Sequence, residues 1–266
     1  MPTTIPTTTS STRPGSPSAG DAYFETDTKK YIIYDGTNWR AYVSDGSPLE
    51  ASSYSLKLDG ADDYVELGDV SFLSSAVAFS ISLWVKAPTV TGSAETLFRS
   101  GTGTGNSITM YQSGSSILFY LGLGSVSNIS GITWSGMLLN NSWRHIAAVY
   151  GSSSLSLYID GSLATTSAYN ANPVPSATAS TAGDDFTIGS YQGGASNELD
   201  GYMDDFAIFD SALTGSEVSN IKNNAIYPTA KLRHLYKFEN NFNDSIGNLD
   251  GTGYNQAQAS TDTARP

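Results

Sequence analysis

The side chains whose types and spacing permit chemistry fall into three groups: carboxylates that lie close in sequence, two histidines, and aromatics in loop-like stretches. Cleavage of a glycosidic bond needs two carboxyl groups flanking it, and Glu198 and Asp200 in the string ELD are the nearest candidates. Nucleophilic catalysis needs a nucleophile beside a base. The chain has no cysteine and only His145 and His234, neither in a Gly-x-Ser-x-Gly-type context. His145 alternates along a strand-like run with Trp143, Ala147 and Val149, so it reads as a hydrogen-bonded structural histidine. GTGTGN, from Gly101 to Asn106, is followed by neither a helix nor a lysine and reads as a hairpin loop, not a phosphate cradle. Calcium takes oxygen ligands, and two acidic clusters offer them: Asp59, Asp62 and Asp63, and Asp200, Asp204 and Asp205. The competing reading of Asp204 is a buried carboxylate capping turn amides. Aromatic rings stack on the apolar faces of sugars. Trp134, in SNISGITWSGM, and Tyr191, in SYQGGASN, are the glycan-binding candidates, against ordinary loop packing, while Trp84 and Trp143 lie in strong strand patterns and read as core.

The elements that must position these groups are short strands. There are 26 Gly and 16 Tyr, and only 14% of the 266 residues are charged, a composition of strands joined by tight turns. Period-two alternation recurs: Phe79, Ile81, Leu83 and Val85 share one face of AFSISLWVK, and Leu155, Leu157 and Ile159 one face of SLSLYIDG. Asp160 and Gly161 supply a tight hairpin turn. Thr214 followed by Glu217 is a capping-box pattern, with Val218 and Ile221 as the apolar face of one short surface helix. The fold class expected is all-β, with 1–20 an extended Thr/Ser/Pro arm ordered only by contact, 21–43 a small aromatic β unit too small to be stable alone, and 44–53 a linker. A sandwich over 54–253 ends in a C-terminal strand, and 254–266 form a tail.

Charge excludes some partners. With 25 Asp and Glu against 13 Lys and Arg, the formal net charge of −12 repels phosphate backbones and anionic lipid headgroups, so nucleic acid is not an expected partner. No apolar run of about 18 residues is present for a membrane span, so no membrane insertion is expected. The N-terminus lacks the apolar core of a signal peptide, and the mature protein is expected to be the whole chain.

Four segments, LKLDGADDYVEL, AFSISLWVKA, NNSWRHIAAVYGSSSLSLYIDGSLA and ELDGYMDDFAIFDSALTGSEVSNI, together resemble, in order, the laminin-G-like, concanavalin A-like lectin/glucanase superfamily over residues 54–227. The resemblance implies an antiparallel jelly-roll β-sandwich in which the first and last strands are neighbours, so that the two acidic clusters would converge on a calcium ion. It also implies that the carboxylate pattern of the glucanases with this fold is broken here, because Tyr202 and Met203 stand where the second acid is required. The chain is therefore expected not to be an enzyme. Residues 12–42, RPGSPSAGDAYFETDTKKYIIYDGTNWRAY, separately resemble a short repeat of phage tail and fibre proteins. That implies a structural virion protein, a tail fibre, head fibre or capsid decoration on the virion surface. Its N-terminal region would meet other virion proteins, its sandwich would bind host-surface glycans, and it would assemble as a homo-oligomer, with a trimer compatible. The alternative is a cellular carbohydrate-binding or adhesion module. The segment KLRHLYKFENNFNDSIGNLDGTG resembles the one that opens such a sandwich, and is expected to add to a sheet edge in the place of the first strand.

Overall fold

The computed structural model describes residues 5–9, 11–26, 30–34, 36–37, 39–42, 52–88, 94–101, 106–122, 129–135, 140–151, 154–166, 178, 180–181, 183–191 and 196–264. The expected linker lies almost wholly outside these residues, as does most of the Gly101–Asn106 loop. Two compact units divide the chain, Met1–Ala51 with Asn223–Ile226, and Ser52–Lys222 with Tyr227–Pro266.

The first unit is a four-stranded sheet of β1 (Thr7–Thr8), β2 (Ala22–Glu25), β3 (Lys30–Tyr34) and β4 (Trp39–Tyr42), paired in that order. Its last three strands are the three aromatic runs of the sequence. Alternation places Tyr23, Tyr34 and Trp39 on one face, where their rings pack at 5.7 and 5.3 Å, and Phe24 and Tyr31 on the other at 5.0 Å. Part of the arm is ordered by contact with β2. Thr7 and Thr8 pair in parallel with Phe24 and Glu25, and Pro6 and Thr8 accept bonds from Phe24 N–H and Thr26 N–H at 2.9 Å. A chain with few apolar side chains still gains order by satisfying the open edge of β2.

The second unit holds, in chain order, β5 (Ser55–Asp59), β6 (Tyr64–Asp69), β7 (Phe79–Lys86), β8 (Glu95–Ser100), β9 (Ile108–Ser113), β10 (Ser116–Gly122), β11 (Ile129–Ser135) and β12 (Arg144–Gly151). Then follow β13 (Ser154–Ile159), β14 (Ser162–Thr166), β15 (Asp185–Ile188), β16 (Asp200–Phe209), helix α1 (Gly215–Asn224), β17 (Leu232–Tyr236), β18 (Thr252–Tyr254) and β19 (Gln258–Ser260). A seven-stranded sheet runs β11-β10-β9-β8-β15-β6-β18 and a second sheet β14-β13-β12-β7-β16-β5-β19. All the pairings in both are antiparallel. This is the antiparallel jelly-roll sandwich that the resemblance implies.

The core lies between the sheets. Phe79, Ile81, Leu83 and Val85 of β7, with Phe206 of β16, face Phe98, Phe119 and Phe186 of the other sheet, all fully buried. The opposite face of β7 is also buried, because α1 covers it with Val218 and Ile221 against Ala147, Val149 and Phe209. Two serines there are paired: Ser80 Oγ accepts Leu213 N–H at 2.9 Å, and Ser82 Oγ meets His145 Nε2 at 2.8 Å. The capping box forms as expected, with Glu217 accepting Thr214 N–H at 2.7 Å and Glu217 N–H donating to Thr214 Oγ1 at 3.2 Å. Asp160 and Gly161 both take positive φ, 50° and 82°, as a two-residue hairpin turn between twisted strands requires.

The C-terminal segment adds to its own sandwich, with a different placement from the one expected. β5 keeps the position beside the first half of β16, and β17 pairs with the second half, Phe206 to Phe209. β18 then caps β6 and β19 caps β5, at the edges of the two sheets. Residues 254–266 are therefore not a tail through residue 264. Asp262 pairs with Lys86 and accepts Trp143 Nε1–H at 2.9 Å, bonds that tie down the last described residues.

Candidate functional site

A single irregularity in β8 sets the face of the seven-stranded sheet that points away from the core. The register with β9 shifts between Thr96 and Phe98, so Leu97 is an extra residue. A β-bulge of this kind re-aims the side chains on either side of it. Leu97 and Phe98 both enter the core, while Thr96 and Arg99, three residues apart, both reach the outer face. There Arg99 lies opposite Thr109, and Thr96 opposite Tyr111.

These residues, with Tyr120, Tyr191 and Asn197, line a cleft of about 510 Å³, within the usual size of a small-ligand site. Tyr120 alternates with core Phe119 and Leu121, and its cross-strand partner is Gly131. A Cβ at Gly131 would stand 2.4 Å from the Tyr120 ring, so the glycine makes room for the tyrosine. The Tyr111 and Tyr120 hydroxyls meet at 2.8 Å and their rings at 5.4 Å, a paired aromatic wall with a polar rim.

Tyr191 is delivered by a turn after β15. Gly189 has φ +86°, and a Cβ there would come within 2.2 Å of Leu58, so only glycine fits. Thr187 Oγ1 donates to Ser190 O at 3.0 Å, and Tyr191 N–H donates to Ser196 O at 3.1 Å. The Tyr191 ring is thereby held over Arg99, whose guanidinium carbon is 3.8 Å from the ring centre. Arg99 is 2% exposed; its Nε–H donates to Gly101 O at 3.2 Å and its Nη1 reaches Thr109 Oγ1 at 3.4 Å. Burial pushes the guanidinium below its usual range, against the stabilising pull of Tyr191 and, more weakly, of Asp184. Among the described lining residues it is the one charged side chain.

Of the two aromatic candidates, the structure places Tyr191 at this cleft and not Trp134. The described part of that stretch, ISGITWS, is strand and not loop: Trp134 stands opposite Ile117 on the core side of β11 and packs against the core. Arg99, Tyr111, Tyr120 and Asn197 had no signal in the motif survey. The one available was a charged residue inside the apolar strand TLFRS.

The six aspartates divide. Asp59, Asp62 and Asp63 bring one oxygen each within 4.8 Å of one another on the β5–β6 turn. Asp200 is the cross-strand neighbour of Asp59 in the pairing of β16 with β5, but its carboxylate is not one of the converging oxygens. Asp63 is 1% exposed; its Oδ2 accepts Asp59 N–H at 3.1 Å and its Oδ1 accepts Gln256 N–H at 2.6 Å. Burial raises its pKa despite the Gln256 bond, and the charges of Asp59 and Asp62 add to the rise.

Asp204 and Asp205 do not join that group. Further along β16, at a register shift in its pairing with β7, Asp204 is fully buried. Its Oδ1 accepts Asp205 N–H at 2.9 Å, and its Oδ2 lies 2.7 Å from Ser52 Oγ and accepts Ala264 N–H at 3.3 Å. The expected convergence of both clusters is therefore limited to the first, Asp59, Asp62 and Asp63, and Asp204 caps backbone amides at the register shift of β16.

At the broken carboxylate pattern, Met203 is core and Tyr202 packs its ring 6.4 Å from Trp143. The carboxylate that does lie near Asp200 is Glu95, which accepts Asp200 N–H and Gln112 Nε2–H, the latter at 2.9 Å. Its pKa is raised by burial, and it pairs with Gln112 on the side of β8 opposite the cleft.

Among solved structures the sandwich is similar to a candidate carbohydrate-binding protein from Bacteroides ovatus, at 15% identity and TM-score 0.59, covering 93% of this chain and 71% of that one. It is also similar to the enzymatically active domain of tailspike protein 2 from bacteriophage CBA120, at 17% identity and TM-score 0.53, covering 70% of this chain and 30% of that one. A third likeness is to the CBM40 of the Ruminococcus gnavus IT-sialidase, at 12% identity and TM-score 0.50, covering 65% of this chain and all of that one. At these identities the likeness is one of fold. Comparison with curated proteins finds no significant match. A family model matches residues 59–219, the stretch from the acidic turn through the cleft to α1, and the chain belongs to the concanavalin A-like lectin/glucanases superfamily.

Proposed function

We propose that the chain is a non-enzymatic saccharide-binding protein whose ligand occupies the cleft of Tyr191, Tyr111 and Tyr120. The observation that carries this reading is the arrangement of three tyrosine rings and a ring of hydroxyl and amide groups around a cleft of about 510 Å³. Rings offer flat apolar surface to sugar C–H groups, and Thr96, Thr109 and Asn197 offer directional polar contacts. Supporting it further, the fold is shared with proteins whose names include carbohydrate binding. A glycan array probed with the full chain and with Tyr191→Ala tests it. Signals lost in the variant support the reading, and signals equal in both, or absent from both, oppose it.

The finer reading is that this binding serves attachment or decoration on a phage virion, in tail or capsid, with the N-terminal unit meeting other virion proteins and the assembly homo-oligomeric. Its support is the fibre-like string in residues 12–42, whose aromatic runs form β2, β3 and β4. Mass spectrometry of purified particles tests it, and particles lacking the protein would leave a cellular adhesion module as the better reading.

Calcium is the ion proposed for the turn of Asp59, Asp62 and Asp63. The residues fit: each carboxylate oxygen keeps a second lone pair beyond the bonds described, and the mutual repulsion recorded at Asp63 is what a cation relieves. Loop carbonyls and water would have to complete the six to eight ligands calcium takes. Asp204 and Asp205 are outside this proposal.

A further inference from the structure

Resting on the saccharide reading of the cleft, we propose that its ligand is a chain of several sugar residues laid across the strands, and that Tyr64 and Tyr254 form a second aromatic platform, beyond the cleft, for an uncharged residue of that chain.

The first support is register. Val65 and Leu67 enter the core, so alternation turns Tyr64 and Glu66 to the outer face of the seven-stranded sheet. On β18 a Cβ at Gly253 would meet the ring of Phe242, which packs against the core, at 2.3 Å. Thr252 and Tyr254, on either side of Gly253, therefore share the outer face, the same face that carries the cleft. The pairings set Thr252, Glu66, Thr187, Arg99, Thr109 and Tyr120 opposite one another in succession, in one line across six adjacent strands. Its five inter-strand steps of about 4.8 Å make the line about 24 Å long, a span that a disaccharide does not bridge and a longer chain does. The cleft takes up the end from Arg99 to Tyr120. Tyr64 and Tyr254 stand beside the other end, each two residues along its strand from Glu66 or Thr252. The Tyr191 ring, held over Arg99, lies between the two ends.

The second support is the surface that the pair offers. Tyr64 and Tyr254 are cross-strand partners with parallel rings, 4.6 Å apart and 4° from parallel planes, and Tyr254 is 37% exposed. Such rings present flat apolar surface to the C–H face of a sugar. The groups around them are acceptors. Glu66 Oε1 accepts the Tyr254 O–H at 3.5 Å, and burial, then the charge of Glu66, with Tyr254 and Asp185 adding to it, pushes the Tyr64 hydroxyl above its usual range. Carboxylates accept sugar hydroxyls strongly and repel anions, which suits an uncharged sugar residue at this end. The two rings also pack β18 onto β6, and ligand length separates that role from binding.

The test is a calorimetric titration of the full chain, as wild type and as Tyr254→Ala, with size ladders running from disaccharide to octasaccharide. The probes are cello-, manno- and malto-oligosaccharides and the strongest neutral ligand of the glycan array. Expected is at least one ladder whose octasaccharide binds about tenfold or more tighter than its disaccharide, with Tyr254→Ala losing that gain and keeping the wild-type affinity for the disaccharide. A gain left intact in the variant, or affinity lost alike at every length, would overturn the proposal. Equal wild-type affinity at every length would also overturn it and leave the saccharide reading standing; binding of none of the ladders would overturn both. If Tyr254→Ala fails to fold, the wild-type amide resonances of Thr252 and Tyr254 decide: they shift with the octasaccharide and not with the disaccharide, or the proposal falls.

Discussion

Arg99 lies directly beneath Tyr191, its guanidinium 3.8 Å from the ring centre, although Arg99 belongs to β8 and Tyr191 to the turn after β15, about ninety residues later in the sequence. The pair converts a buried charge into a positioned aromatic surface, since a cation–π contact of this kind is worth about 1–2 kcal/mol when desolvated. Tyr191→Ala is expected to weaken saccharide binding by about tenfold or more. Its melting temperature should move by only a few degrees, because the ring is half-exposed. Calorimetry and a thermal melt on the same sample check both numbers. Tyr191→Phe, which keeps the ring, should retain most of the affinity.

Gly131 is the partner of Tyr120 across β10 and β11, and a methyl group there would collide with the ring at 2.4 Å. Gly131→Ala should cost about 1–3 kcal/mol by overpacking and should also weaken binding, since the Tyr111–Tyr120 hydroxyl contact is lost when the ring swings. Chemical denaturation gives the first effect and a binding titration the second. An unchanged affinity would remove Tyr120 from the site.

Asp204 and Asp59 are expected to behave oppositely. Asp204→Ala removes the acceptor of the Asp205 and Ala264 amides and one of the acceptors of Ser52 Oγ, and should destabilise by about 2–4 kcal/mol whether calcium or a chelator is present. Asp59→Asn and Asp62→Asn, both exposed, should change the melt little in chelator. They should abolish the rise that calcium produces in the wild type, about 2.7 kcal/mol at a hundredfold excess over Kd. A wild-type melt indifferent to calcium and chelator would end the metal proposal.

Asp244 anchors the C-terminal turn. Burial works against its charge, but His234 Nδ1, at 2.7 Å, and the backbone N–H groups of Gly247, Leu235 and Ile246 hold its carboxyl below the usual aspartate range. A depressed folded-state pKa contributes stability that is fully present above the unfolded value and is lost as pH falls through the folded one. Stability should therefore fall as pH drops below about 4. Asp244→Asn should be less stable at pH 7 and should show a shallower loss between about pH 4 and 2. Melting temperatures across that range check it.

Much of this was legible in the chain itself. Phe79, Ile81, Leu83 and Val85 announce a core strand by alternation, Asp160 and Gly161 a hairpin, and Thr214 with Glu217 a helix start, because each is a local rule with a local cause. The cleft was not legible in the same way. Arg99 reaches the outer face only through the extra residue at Leu97, and a bulge changes parity without changing composition. Trp134 misled for the related reason that Gly131 and the serines around it look like loop, yet the stretch pairs with β10 throughout. The order of residues 254–264 rests on contacts with β5, Lys86 and Trp143, about 120 to 200 residues away in sequence, which no nearby pattern records.

The central claim is that saccharide binds where Tyr191, Tyr111 and Tyr120 meet. The most direct measurement is a two-dimensional amide NMR titration of the full chain with a disaccharide chosen from the array. Shifts confined to β8, β9, β10 and the turn from Gly189 to Tyr191 are the predicted result. Shifts absent there and concentrated on the opposite sheet, or on β2 to β4 of the N-terminal unit, would contradict it.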